Sequence, residues 1–370
     1  MEIRIVKNGW DLRDFIRFPW KVYRHDPAWV PPLISEAKFV LDHKKNPFWR
    51  HAESKLFLVK KKRRVVGRIA AIIDQNHINY HHEKAGFFGY FECLKDYEAA
   101  ELLLSAAKMF LRENGMEIMR GPMNPSTNEE CGTLIGGFTT SPYTMMTHNP
   151  PYYPQFFDRF GLGKAVDWVA YIGQVGADLP KEMQIAAKYA SDKHPEVKIR
   201  PLDFRNFDQE VKKLMEVYNS AWSKNWGFVP FTDEEIQSLA HRLLPIAVPD
   251  LALIAEIGDR PVGVLIGIPN FNEVLKHLNG RLFPFGFLKA LYYARKITTA
   301  RLIIMGVKEE YRRMGIEALL YAQAHQNAFR LKFKEFESSM ILEHNQLTRK
   351  AAELFGQKVY KTFRIYEMRI

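Results

Sequence analysis

The sequence predicts an α/β protein built from two copies of one domain, each a twisted mixed sheet flanked by helices. Three observations carry this. Apolar strand-like runs alternate with amphipathic helical ones along the whole chain. Short matching segments recur at a single offset of 196 residues. The matches keep the same order from one end to the other, which is how a duplicated domain reads.

The matches and the elements follow the same course. "MEIRI" at the start aligns with "VKIRP", setting Ile3 and Arg4 against Ile199 and Arg200. Each of these short strands leads into a helix: "DLRDFIRFPWKVYR" behind Asn8, a good cap, and "FDQEVKKLMEVYNSAW" in the second copy. A hairpin comes next in each. "RRVVGRIAAI" aligns with "DRPVGVLIGI", setting Gly67 against Gly263, with charged or Gly-Asp turns before them. The run 97–113 reads as a helix capped by Asp96 and stopped near Gly115. "HNPPYYPQFFDRFG" aligns with "HNQLTRKAAELFG", setting His148-Asn149 against His344-Asn345. The expected domains are residues 1–172 and 197–370, joined by a linking helix in 173–196.

Composition narrows the class. At 370 residues with 47% hydrophobic and 13% aromatic residues, the chain can bury large cores. Cys93 and Cys131 are its two cysteines, which excludes a disulfide framework or a cysteine zinc cluster and suits a reducing compartment. No metal is expected. No apolar run reaches membrane-spanning length, and the start does not read as a signal peptide. The expectation is a cytoplasmic protein with peripheral contact to the inner membrane. A net charge of +11 calls for an anionic partner.

The stretch "VKEEYRRMGIEALLY", 307–321, follows the apolar strand "ARLIIMGV". It places Arg312, Arg313 and Gly315 in a turn that opens a helix. First-turn amides have no partner inside a helix and, with the helix dipole, attract anions. Further on, "SSMILEHNQLTRKAAELFGQKVYKTFRIYEM" gives a strand, Asn345 at a helix start, Gly356 at its end, and a last strand. Capping alone accounts for Asn345 and Gly356. Together these stretches resemble the GNAT acyltransferases: Arg312 and Gly315 fit the family's acyl-CoA loop, while Glu317 stands where that loop has a small residue. The first copy has no such loop in "FGYFECLKDYEAAELLL" and is expected to serve as a wall of the substrate cleft. The two-copy arrangement, with "GPMNPSTNEECG", "MMTHNPPYY", "NGRLFPFGF" and "YKTFRIYE", resembles a bacterial tandem-GNAT family that includes the bacterial ceramide synthases.

That resemblance implies an N-acyltransferase with acyl-CoA or acetyl-CoA as co-substrate. Met305, Gly306, Val307, Arg312, Arg313, Gly315, Ile316 and Asn345 would hold the CoA. An amine would attack the thioester directly, with Glu343 or His344 as proton acceptor and Glu129 or Glu130 in reserve. GNATs often carry a tyrosine general acid four residues before the helix-ending glycine. Ala352 occupies that position here, so Tyr360 is the substitute candidate.

Two other stretches bear on the acceptor. Residues 274–308 contain no acid and hold Lys or Arg at 276, 281, 289, 295, 296, 301 and 308 around Phe283, Phe285 and Phe287. That pattern suits an anionic membrane surface or an acyl chain; the spacing of 288, 291 and 292 also fits a helix packed on the sheet. Asn128, Glu129 and Glu130 cluster in a turn-rich loop and are candidate acceptor contacts. A lipid amine such as a sphingoid base is the expected acceptor. Open alternatives are acetyl transfer to a small polar amine, Fem-like aminoacyl transfer, and a CoA-binding module without catalysis. Clustering of basic residues beside aromatics argues against nucleic acid.

Overall fold

The computed structural model describes residues 1–370. In the first copy the elements are β1 (Glu2–Ile5), α1 (Gly9–Arg17), α2 (Pro19–Val22), α3 (Ile34–Val40), β2 (Ala52–Lys61), β3 (Arg64–Asp74), α4 (Gln75–His81), β4 (Ala85–Cys93), α5 (Tyr97–Glu113), β5 (Ile118–Gly121), β6 (Met123–Asn124), β7 (Glu130–Cys131), β8 (Thr133–Gly136), α6 (Tyr153–Phe160) and β9 (Gly163–Gln174). Helix α7 (Lys181–Lys193) follows. The second copy has β10 (Val197–Pro201), α8 (Phe207–Trp222), α9 (Asp233–Leu243), β11 (Ala252–Ile257), β12 (Arg260–Pro269), α10 (Asn272–Leu278), α11 (Gly286–Ala294), β13 (Thr299–Val307), α12 (Ile316–Arg330), β14 (Glu335–Leu342), α13 (Gln346–Leu354) and β15 (Lys358–Arg369).

The chain divides into two compact units. The first comprises Met1–Asp167, Val274–Leu291 and Lys361–Ile370; the second comprises Trp168–Glu273 and Tyr292–Tyr360. In the first unit the sheet order is β1-β2-β3-β4-β5-β15; in the second it is β9-β14-β13-β12-β11-β10. Each unit thus takes its closing strand from the other copy: Tyr366–Arg369 pair with β5, and Trp168–Gln174 pair with β14.

Local chemistry explains the elements. The Asn8 side chain accepts from the amides of Trp10 and Asp11, and Pro19 divides the expected first helix into α1 and α2. Asp96 starts α5 but makes no capping bond; its carboxylate accepts from Lys61 Nζ at 3.0 Å instead. In the β2–β3 hairpin, Lys62 and Arg63 both take positive φ, which suits a two-residue turn. Gly258 provides the positive φ in the second copy's hairpin.

The two hairpins share register and irregularity. Val59 faces Gly67 and Ala255 faces Gly263, each with a bulge immediately after the first residue of the pair. Both glycines permit a helix to close on the sheet. A Cβ at Gly67 would lie 2.6 Å from Leu103 of α5; one at Gly263 would lie 3.0 Å from Ile316 of α12. In the second unit, Leu253, Ala255 and Leu265 face α12 while Ala252, Ile254 and Val264 face α8. Burial on both faces is why these strands read as continuous apolar runs. In the first unit, Ile69, Ala71 and Leu103 anchor the α5 side, and Phe15, Ile16 and Leu58 the α1 side.

Candidate active site

One strand edge organises the second unit. β13 and β14 run parallel from Thr299↔Glu335 to Leu302↔Ser338, where their ladder stops. β14 then shifts register against β9, on its other side, and continues to Leu342. β13 continues to Val307 paired with β12 but no longer with β14, so residues 303–307 leave one backbone edge open as they lead toward α12. A 3₁₀ turn, Glu309–Tyr311, and the residues Arg312–Gly315 connect the two. Gly315 has φ +74 and Arg313 φ +75, so the chain turns sharply before the helix starts at Ile316.

At the site, Val307 and Ile316 are core side chains, so only their backbone can face a ligand. Arg312 and Arg313 are exposed, and Arg312 donates to the Ala221 carbonyl at 3.2 Å. Glu317 is half-buried in the first turn of α12. Ala190 of α7 packs against Gly315, 2.7 Å from where a Cβ would stand. Trp222, at the end of α8, lies over Gly306 so closely that any side chain there would strike its ring. Tyr218 stacks on Trp222 with ring centroids 4.9 Å apart. Backbone edge, glycine turn, two arginines and a helix N-terminus form an arrangement that fits a pantetheine and pyrophosphate.

Other expected residues fall as follows. Glu343 and His344 follow β14, next to its end; Arg349 donates to the Glu343 carbonyl at 2.9 Å, and His344 is exposed. Asn345 caps α13 by accepting from Thr348 N at 3.2 Å. Tyr360 is half-buried on β15. Asn128, Glu129 and Glu130 lie in the first unit on the β6–β7 hairpin, where Asn128 N donates to Ser126 Oγ. Phe283, Phe285 and Phe287 are exposed, and α11 buries no residue, so the packed-helix alternative for this stretch does not hold.

The equivalent edge in the first copy is closed by its own chain. β4 and β5 pair from Ala85↔Ile118 to Phe87↔Arg120. Beyond that point Asn124 Oδ1 accepts from Tyr90 N at 2.6 Å. Tyr153 Oη accepts from Cys93 N at 2.7 Å, and Tyr152 donates to Cys93 O at 2.8 Å. Met123 sits against Gly89 where a Cβ would collide.

Beside this closed edge lies a buried polar cluster that sequence reasoning missed. Tyr153 donates to Glu92 Oε2 at 2.8 Å. Arg68 approaches the other oxygen at 3.9 Å and donates to the Phe15 carbonyl at 2.7 Å. Tyr23, also near Glu92, donates to the His148 carbonyl at 3.0 Å. Burial raises the Glu92 carboxyl to about 7 despite Arg68, in keeping with a proton held there. The folded register relates the two copies here: Gly67 pairs with Cys93 and Gly263 with Val307, so Glu92 answers to Gly306. A second missed pair, Arg301 and Glu337, is buried at the last rungs of the β13–β14 ladder; Arg301 Nε lies 3.2 Å from Glu337 Oε2 and 3.0 Å from Ser339 Oγ.

No protein-family model matches the chain. It is 36% identical to Protein YghO of Escherichia coli (strain K12), over 100% of this chain and 95% of that one. It is also 36% identical to the bacterial ceramide synthase of Caulobacter vibrioides (strain NA1000 / CB15N), over 98% of this chain and 96% of that one. Its fold is similar to a tandem GNAT protein from the clavulanic acid biosynthesis pathway, with a TM-score of 0.58 and 10% identity over 100% of this chain and 98% of that one.

Proposed function

The chain belongs to the bacterial tandem-GNAT acyltransferase family, and on that premise we propose that it is an acyl-CoA-dependent N-acyltransferase acting on a lipid amine of the sphingoid-base class. One observation carries the reading: the β13 edge left by the ladder at Leu302 runs through a glycine turn into the first turn of α12. In this reading residues 303–307 bind the pantetheine amides, and the first-turn amides with Arg312 and Arg313 bind the pyrophosphate. Glu317 turns its carboxylate away from the phosphates.

The chemistry then needs three things from the protein. The backbone N–H of Gly306 or Val307 donates to the thioester oxygen as charge builds there. Alignment of amine and carbonyl supplies the entropic part. As the N–C bond forms and the C–S bond breaks, Glu343 or His344 takes the amine proton and Tyr360 gives one to the departing thiolate. Trp222 and Tyr218 offer an apolar wall beside Gly306 that suits an acyl chain. The first copy does not hold CoA in this scheme, because Asn124, Tyr152 and Tyr153 already occupy its strand edge.

A product-mass screen of acyl-CoA chain lengths against sphingoid bases, polyamines and amino acids tests this. Amide formation with long-chain bases is expected. Transfer only of acetyl groups to polyamines or amino acids would replace the lipid acceptor with a small one. CoA binding without transfer to any amine would make the chain a binding module.

A further inference from the structure

The acid-free stretch 274–308 proves to contain two sets of basic residues. Arg301 pairs with Glu337 in the core, Lys308 pairs with Glu216, and Lys276 donates to Ser141 Oγ at 3.2 Å. Arg281, Lys289, Arg295 and Lys296 remain, all exposed and all next to α11 or within it. Between them stand Phe283 and Phe285, 78% and 70% exposed, with Phe287, Leu288, Leu291 and Tyr292 also facing water. Large apolar side chains grouped on a surface mark an interaction site rather than chance exposure.

The tip is held firmly. Trp20 Nε1 donates to Asn279 Oδ1 at 2.8 Å, and Ile34 N donates to Gly280 O at 3.0 Å. Gly280, at φ +80, is pressed so close to Trp20 that a Cβ would lie 2.6 Å from its ring. Phe287 N closes the turn onto Leu282 O at 2.7 Å. Lys296 lies over the Tyr292 ring at 4.0 Å and donates to its hydroxyl at 2.6 Å, a stem-and-head arrangement suited to an apolar–water boundary.

We propose that residues 281–296 form a docking surface for a bilayer rich in anionic lipid, with the aromatic tip entering the headgroup boundary and the four cations that no carboxylate pairs with meeting the phosphates. Charge selects this occupant. A second copy of the chain would set the same four cations against each other across a symmetric contact. A bound acyl chain would need an enclosing wall, and α11 buries none of its residues. No helix is long and apolar enough to cross a membrane, so the contact is interfacial. The proposal stands apart from the acceptor's identity, because binding to vesicles is read without turnover.

The test is sedimentation of the full chain with phosphatidylcholine vesicles, with and without phosphatidylglycerol. Binding should require phosphatidylglycerol and weaken with salt. Arg281→Glu with Lys289→Glu should lower affinity at least 25-fold, at roughly fivefold per lost charge. Phe283→Ser, Phe285→Ser and Phe287→Ser together should lower it tenfold or more with the fold intact by circular dichroism. Both native cysteines are buried, so Phe285→Cys can carry an environment-sensitive dye, which should shift to the blue on phosphatidylglycerol vesicles. Unchanged vesicle affinity in both variants, or a dye that reports water throughout, would overturn the proposal; so would a dimer in solution that the triple variant abolishes.

Discussion

Glu92→Gln isolates the proton held in the first unit. The folded chain binds a proton at Glu92 up to about pH 7, whereas an ordinary glutamate releases it near 4.5. That separation corresponds to about 3 kcal/mol between the two protonation states. The sign follows from linkage. Below 4.5 both folded and unfolded chains carry the proton; between 4.5 and 7 only the folded one does. Stability from this site is therefore full in acid and is lost as pH rises through 7. Gln cannot ionise, yet its oxygen can still accept from Tyr153. The variant should thus escape the loss. Urea unfolding at intervals from pH 5 to 8, followed by tryptophan fluorescence, should show wild-type stability falling relative to the variant by up to about 3 kcal/mol. Parallel stability curves across that range would mean that Glu92 is ionised throughout, paired with Arg68, and that the proton assigned to it is not there.

Arg312→Ala combined with Gly315→Asp should weaken acyl-CoA binding in calorimetry by roughly a hundredfold, the scale of losing charge-assisted contacts and adding a repelling carboxylate. Charge changes in residues 90–98 should leave that affinity alone; unchanged binding in the double variant would reduce the loop to a turn. Glu337→Gln should cost about 3–5 kcal/mol in thermal unfolding because it strands Arg301 in the core. Replacing both, as Arg301→Met with Glu337→Leu, should recover most of that loss.

Legibility divided along physical lines. Whatever depends on near neighbours could be read directly: α8 covers 207–222 as its periodicity indicates, Asn8 and Asn345 cap, and Gly67 and Gly263 fall at matching points of matching hairpins. Local rules misled where a distant group competed. Asp96 has the residue type of a cap, but Lys61 takes its carboxylate. Arg301 and Lys308 look like part of a basic surface until Glu337 and Glu216, far away in sequence, are brought beside them. Glu92 was an undistinguished acid in an aromatic run. Its meaning comes from Tyr23, Arg68 and Tyr153, which only the fold assembles.

The closing strands have a consequence for how the chain is made. The sheet of the first unit waits for Tyr366–Arg369 to pair with Ile118–Gly121, a loop closure spanning about two-thirds of the chain. Translation alone therefore cannot finish that unit domain by domain: its β5 edge stays unpaired, and open to wrong partners, until residues 366–369 have left the ribosome. A nascent chain so built depends on late, long-range zipping, and loss of residues 361–370 would be felt first in the unit formed by residues 1–167.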